Sequence, residues 1–184
     1  MSFGTGWMTG ADSRSLDDIY HLLKLTHREF YFNIASLNTT ILVYFDYDEW
    51  SRLFHAYIDF YNAKIEEDQY ARTFDRIIEQ KNGLQVLVVR KVCGEEKSLV
   101  GIAHFFPEQT PWSEKQILLL NDLFVDPSAR GAGLGRKLTE AVADIGREMG
   151  CTRVQWVTKH DNATARKLYD TMAETQFVQY RMTL

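Results

Sequence analysis

The segment Gln116–Val125 is apolar on both faces and runs into Asp126-Pro127-Ser128-Ala129-Arg130-Gly131-Ala132-Gly133-Leu134-Gly135, after which the pattern turns helical. A strand apolar on both faces belongs inside a sheet. The glycine-rich turn lets the backbone approach a ligand and take conformations that a Cβ forbids. The first N–H groups of the following helix have no intrahelical acceptor, and with the macrodipole they make an anion site suited to phosphate or diphosphate. Arg130, Arg136 and Lys137 add positive charge there.

The remaining elements decide what this unit is built into. Ser15-Leu16-Asp17-Asp18 reads as a helix start, and Ile19, Leu22, Leu23, Leu25 and Phe30 extend an apolar face, which predicts a helix over 16–33 behind a Gly/Ser/Thr-rich start expected to fray. Thr40–Phe45 reads as a strand. Asp46 and Glu49 open a helix carrying Trp50, Leu53, Phe54, Tyr57, Ile58 and Tyr61 at helical spacing, and Asp68–Gln80 a second one, stopped by Asn82-Gly83. Leu84–Val92 and Leu99–Phe106 read as a hairpin across Gly94-Glu95-Glu96, and Pro107–Ser113 as a loop. After the apolar strand come a helix over Leu134–Gly150, a strand over Arg153–Thr158, a helix over Ala163–Met172 and a last strand over Phe177–Thr183. Helices interrupting strands in this order indicate a mixed α/β sheet. The expected organisation is an N-terminal extension over 1–38 and one domain over 39–184.

Composition excludes several classes. The 184 residues are 45% hydrophobic and 25% charged, enough for an ordinary core. The longest apolar run is far short of the roughly 20 residues of a membrane span, and the N-terminus lacks the basic and apolar regions of a secretory signal. Cys93 and Cys151 have no metal-site or disulfide spacing, so no metal is expected, and a reducing cytosol is the expected compartment with the nucleus left open. A net charge of −4 argues against nucleic acid as a partner, and nothing suggests a membrane partner.

Two familiar phosphate motifs fail on spacing. No glycine is followed as GxxxxGK[ST] requires, and Gly131-x-Gly133 meets Arg136 where a dinucleotide fingerprint needs a third glycine. What matches is Arg130-x-x-Gly133-x-Gly135, followed by Asn162-x-x-Ala165-x-x-Leu168-Tyr169. On these two elements, over roughly residues 39–184, the chain resembles the GCN5-related N-acetyltransferase (GNAT) family, nearest its histone/protein and diamine acetyltransferase types. The resemblance implies an α/β fold with a mostly antiparallel central sheet flanked by helices, here with an N-terminal helical extension. It also implies acetyl-CoA as cosubstrate and direct transfer of acetyl to a primary amine in a ternary complex.

The same resemblance assigns roles. Leu123, Phe124 and Val125 would pair their backbone with the pantetheine arm; Arg130, Gly131, Ala132, Gly133, Leu134, Gly135 and Arg136 would hold the diphosphate. Asn162 would hydrogen-bond the pantetheine, and Ala165 belongs to the same cofactor-binding element. Tyr169 would protonate the departing thiolate, and the Leu123 N–H would stabilise the oxyanion. Relatives usually read Leu-Glu-Asp-Leu where this chain has Leu120-Asn121-Asp122-Leu123, so the base falls to Asp122, to a water, or to an amine that arrives neutral. Asn121 and Asp122 face opposite sides of a regular strand, and only a bulge brings both to one site.

Each residue also has a plainer reading. Asn162 suits a helix N-cap, Tyr169, Trp50, Tyr57 and Tyr61 suit packing, Asp122 suits a structural hydrogen bond, and His104 and Trp112 suit either an acceptor entrance or, for His104, the core. Between Asp46 and Gln80 nine acidic residues stand against four basic ones, which points to a cationic acceptor, small molecule or peptide, or to a solvated face. The apolar segment Phe177–Leu184 makes a homodimer an expectation. The alternative function is a non-catalytic acyl-CoA-binding or regulatory module.

Overall fold

The computed structural model describes residues 31–34, 37–41, 47–93 and 96–184. Among them the strands are β1 (Tyr31–Ile34), β2 (Leu37–Ile41), β3 (Gln85–Cys93), β4 (Glu96–Glu108), β5 (Ile117–Val125) and β6 (Val154–Gln155), and the α-helices are α1 (Tyr47–Phe60), α2 (Glu67–Ile78), α3 (Leu134–Glu148) and α4 (Ala163–Tyr169). The sheet follows chain order from β1 to β6. Neighbours are antiparallel except β5 and β6, which run parallel.

The period-2 alternation of β3 divides the core. Val86 and Val88 face α1 and α2, packing with Trp50, Leu53, Phe54, Tyr70, Phe74 and Ile77. Leu87 and Val89 face α3, packing with Leu134, Leu138, Ala141 and Val142. The mixed α/β class and the mostly antiparallel sheet flanked by helices are thus as the sequence implied. Glu49, in the first turn of α1, accepts the Leu99 N–H at 2.9 Å and pairs with Arg90 at 3.1 Å, which ties α1 to the sheet.

Two register shifts set the faces of β4 and β5. One, between Val89 and Arg90, skips Val100, so that Leu99 and Ile102 both point toward α1. The other skips Asn121: His104 pairs with Asp122, but Phe105 pairs with Leu120. Leu118 and Leu120 therefore face α3, whereas Asp122 and Phe124 turn to the α1 side.

Four expectations need correction. Residues 31–33, expected at the end of a helix, form β1; Tyr-Phe-Asn-Ile suits a pleated strand, and pairing with β2 decides it. The rest of that helix, over 16–30, lies outside the described residues, as do residues 42–45 of the expected strand, while β2 begins earlier, at Leu37. The strand over 153–158 shrinks to Val154–Gln155, because pairing with β5 ends at Leu119 and nothing further continues the ladder. The helix expected to reach Met172 stops at Tyr169. The segment 177–183 is irregular rather than a strand: its alternating apolar side chains find no ladder partner among the described residues, and Phe177, Val178, Tyr180 and Met182 are exposed.

Candidate active site

The parting of β5 from β6 creates the site. Their ladder consists of Leu118 with Val154 and Leu119 with Gln155; from Asn121 onward β5 keeps β4 on one edge and has no strand partner on the other among the described residues. An extended chain of amides can pair with such an edge as an added strand. Leu123, Phe124 and Val125 lie on this stretch.

The turn that follows is held by its own side chains. Asp126 Oδ1 accepts from the Ser128 N–H at 2.9 Å and from its hydroxyl at 2.7 Å, while Arg52 donates to Asp126 Oδ2 at 3.0 Å and to the Leu99 carbonyl at 2.7 Å. Arg130 Nε donates to the Val125 carbonyl at 3.0 Å, and its guanidinium lies over the Phe124 ring, 5.8 Å from the centroid. Gly131 and Gly133 take φ of +84° and +74°, and a Cβ on either would meet nothing within 4 Å. These glycines thus leave an open, exposed cradle. Gly133 caps α3 without any side-chain hydrogen bond, so the first amides of a 15-residue helix face the cradle. Gly135 is close to Leu168 of α4, and Arg136 donates to the Thr171 hydroxyl.

Inside the cleft, the bulge at Asn121 brings a polar chain together. Trp50 Nε1, buried and able only to donate, gives its hydrogen to His104 Nε2 at 2.9 Å. His104 Nδ1 therefore carries the ring proton and donates to Asp122 Oδ2 at 2.9 Å. Asn121 Nδ2 donates to Asp122 Oδ1 at 3.0 Å, and the Tyr57 hydroxyl also donates to this carboxylate. Burial acts to raise the Asp122 pKa, but the hydrogen bonds from His104, Tyr57 and Asn121 outweigh it and hold the group below the ordinary carboxylate range. Burial, reinforced by the Asp122 charge, pushes the Tyr57 phenol upward.

Tyr169 ends α4 with its ring edge-on to Trp156, centroids 5.4 Å apart. Burial and the neighbouring Tyr61 push its pKa up to about 12. Asn162 is the N-cap of α4: its Oδ1 accepts the Ala165 N–H at 3.3 Å, and its Nδ2 donates to the Thr158 hydroxyl at 3.0 Å. His104 is a core histidine with both ring nitrogens engaged, and Trp112 stands exposed on the β4–β5 loop. In the sequence Tyr57 and Tyr61 suit helix-face packing, yet the structure places both beside the cleft. Their part in the cleft depends on which side of β5 carries Asp122, and no spacing in α1 reveals that.

The comparisons agree with this geometry. Residues 50–173 match the acetyltransferase (GNAT) family model. A D-amino-acid N-acetyltransferase of Saccharomyces cerevisiae is 32% identical over 137 residues, 74% of this chain and 84% of that protein. An uncharacterised N-acetyltransferase of Bacillus subtilis is 33% identical over 131 residues, 70% of this chain and 85% of that one. The solved structure of AAC(6')-Iy with a bisubstrate CoA analogue superposes with a TM-score of 0.67 at 17% identity, covering 82% of this chain and 99% of that chain, which shows the shared fold. The chain belongs to the GNAT acetyltransferase family. It is an acetyltransferase that uses acetyl-CoA, and both of these relatives are named as N-acetyltransferases. The open cradle at Gly131 and Gly133, the uncapped amides of α3 and the free edge of β5 suit a diphosphate joined to an amide-bearing arm.

Proposed function

We propose that this protein transfers acetyl from acetyl-CoA to a primary amine of a small, cationic acceptor by direct attack within a ternary complex. The observation that carries this reading is the convergence of Asp122, Tyr57 and Tyr169 beside the free edge of β5, with the N-terminus of α3 at the end of that edge. Bound acetyl-CoA supplies an activated acyl carbonyl with a thiolate leaving group. The loop from Arg130 to Arg136 holds the diphosphate through its backbone amides. Leu123 to Val125 orient the pantetheine arm, and the Leu123 N–H polarises the carbonyl oxygen. Asn162 and Ala165 fix the start of α4 and so place Tyr169. Tyr169 keeps a proton on Oη for the sulfur, a state favoured by its raised pKa.

On the acceptor side, Asp122 is a poor proton acceptor because three donors already occupy it. Its charge draws an ammonium into the cleft, and exposed Asn121 lines the way by which the amine proton leaves to solvent. The acidic excess over residues 46–80 works in the same direction. The D-amino-acid acetyltransferase supports a small amine acceptor. We further propose that two copies associate through the exposed apolar segment 177–184, which sedimentation at rising concentration checks.

Release of free thiol from acetyl-CoA over a panel of polyamines, lysine and other amino acids tests the reading. Turnover with a cationic amine, its KM rising with salt, is expected. Tight CoA binding with no thiol released by any amine would leave only a binding module.

A further inference from the structure

One cation in the cleft takes no part in the reading above. Lys159, on the loop between β6 and α4, reaches across to the end of α1. Its Nζ donates to the Tyr61 carbonyl at 3.3 Å and lies over the Tyr61 ring, 4.9 Å from the centroid. Among the described residues no carboxylate comes within ion-pair distance of it. An ammonium carries three donors, so this one keeps two after binding Tyr61.

The surroundings give that charge a direction. Tyr61 packs edge-on to Tyr57, centroids 5.0 Å apart, and Tyr57 donates to Asp122. Tyr169 is close enough to Tyr61 and Tyr57 for the phenols to perturb one another. A continuous line therefore runs from a carboxylate at Asp122, across two aromatic rings, to an ammonium at Lys159, alongside the phenol assigned to the leaving sulfur. A polyamine carries only positive charge and would gain from Asp122 and the acidic face of α1 and α2, but it would be repelled by Lys159. A molecule with an amine at one end and a carboxylate at the other satisfies both ends.

We infer that Lys159 is the acceptor-carboxylate site, and that the substrates are amino acids rather than simple amines. This rests on the acetyl-transfer reading and narrows its acceptor class. Lys159 also tethers the end of α1, a helix with no basic residue in its last turn, so a purely structural role has to be separated by the test.

The experiment compares acceptors that differ only in the carboxylate, lysine against cadaverine and ornithine against putrescine, in the full chain and in Lys159→Gln and Lys159→Arg. The wild type is expected to favour the amino acid by about tenfold or more in kcat/KM, the scale of one charge-assisted hydrogen bond. Lys159→Gln should bring that ratio near one, chiefly through the KM of the amino acid, and Lys159→Arg should restore most of it. Equal kcat/KM for both members of a pair in the wild type, or equal loss of both in Lys159→Gln, overturns the inference and leaves acetyl transfer standing. Absence of thiol release from all four amines overturns both.

Discussion

His104 Nδ1 and Asp122 Oδ2 stand 2.9 Å apart on adjacent strands, with the imidazole 2% exposed. Because Trp50 can only donate to Nε2, the ring proton sits on Nδ1, and the pair is a neutral imidazole serving a carboxylate. That carboxylate in turn orients Tyr57, so a core tryptophan sets the hydrogen-bond direction in the cleft.

The pair makes stability depend on acidity. The folded-state pKa of Asp122 lies below the ordinary carboxylate range, so its contribution is complete above that range and is lost as pH falls through the lower, folded-state pKa. Asp122→Asn should cost about 1.5–3 kcal/mol at pH 7, the range for hydrogen bonds to a charged group. The gap between variant and wild type should narrow below about pH 4, near the free-carboxyl range. Urea unfolding across pH 3–7 measures both; a gap that widens on acidification would contradict the assignment.

Gly133 separates ligand binding from folding. A side chain there meets no neighbour, so Gly133→Val costs the protein only the strain of a β-branched residue at φ +74°, about 1–3 kcal/mol. The same side chain fills the cradle. CoA affinity, measured by titration calorimetry, should fall by about tenfold or more, since losing a single charge-assisted contact costs that much. Unchanged affinity in the folded variant would remove the diphosphate from this loop.

Tyr169→Phe should lower kcat by about 100-fold or more, the usual contribution of a placed acid, and leave CoA binding nearly intact. The active form is the protonated phenol, and with its pKa pushed up to about 12 that form persists through the alkaline range. The wild-type rate should therefore show no fall from this group until pH approaches 12. An alkaline limb near pH 9 that vanishes in Tyr169→Phe would place the pKa lower.

Gly146 tests how α3 is seated. A Cβ there would come 3.3 Å from Leu118 Cδ2 and 3.4 Å from Val154 Cγ2, so Gly146→Leu must push the helix away from β5 and β6. The expected cost is about 1–3 kcal/mol of overpacking, with a weaker grip on CoA although the residue lies far along α3 from the loop. Thermal melting and CoA titration on the same variant check the coupling.

The sequence alone determined the strand–glycine–helix unit, because the φ values at Gly131 and Gly133 and the uncapped start of α3 are local consequences of residue type and order. It also carried the capping of α4 by Asn162 and the hairpin of β3 and β4, both set by short-range spacing. Tertiary structure alone decided which face of β5 bears Asp122. Read as a regular strand, Leu118, Leu120 and Asp122 share one side; the ladder with β4 skips Asn121 and turns Asp122 to Tyr57 and His104. It likewise decided that β6 stops after two residues and that Lys159 meets Tyr61, 98 positions away. Such outcomes depend on register and on contacts between distant segments, whose free energies appear only when the sheet is assembled.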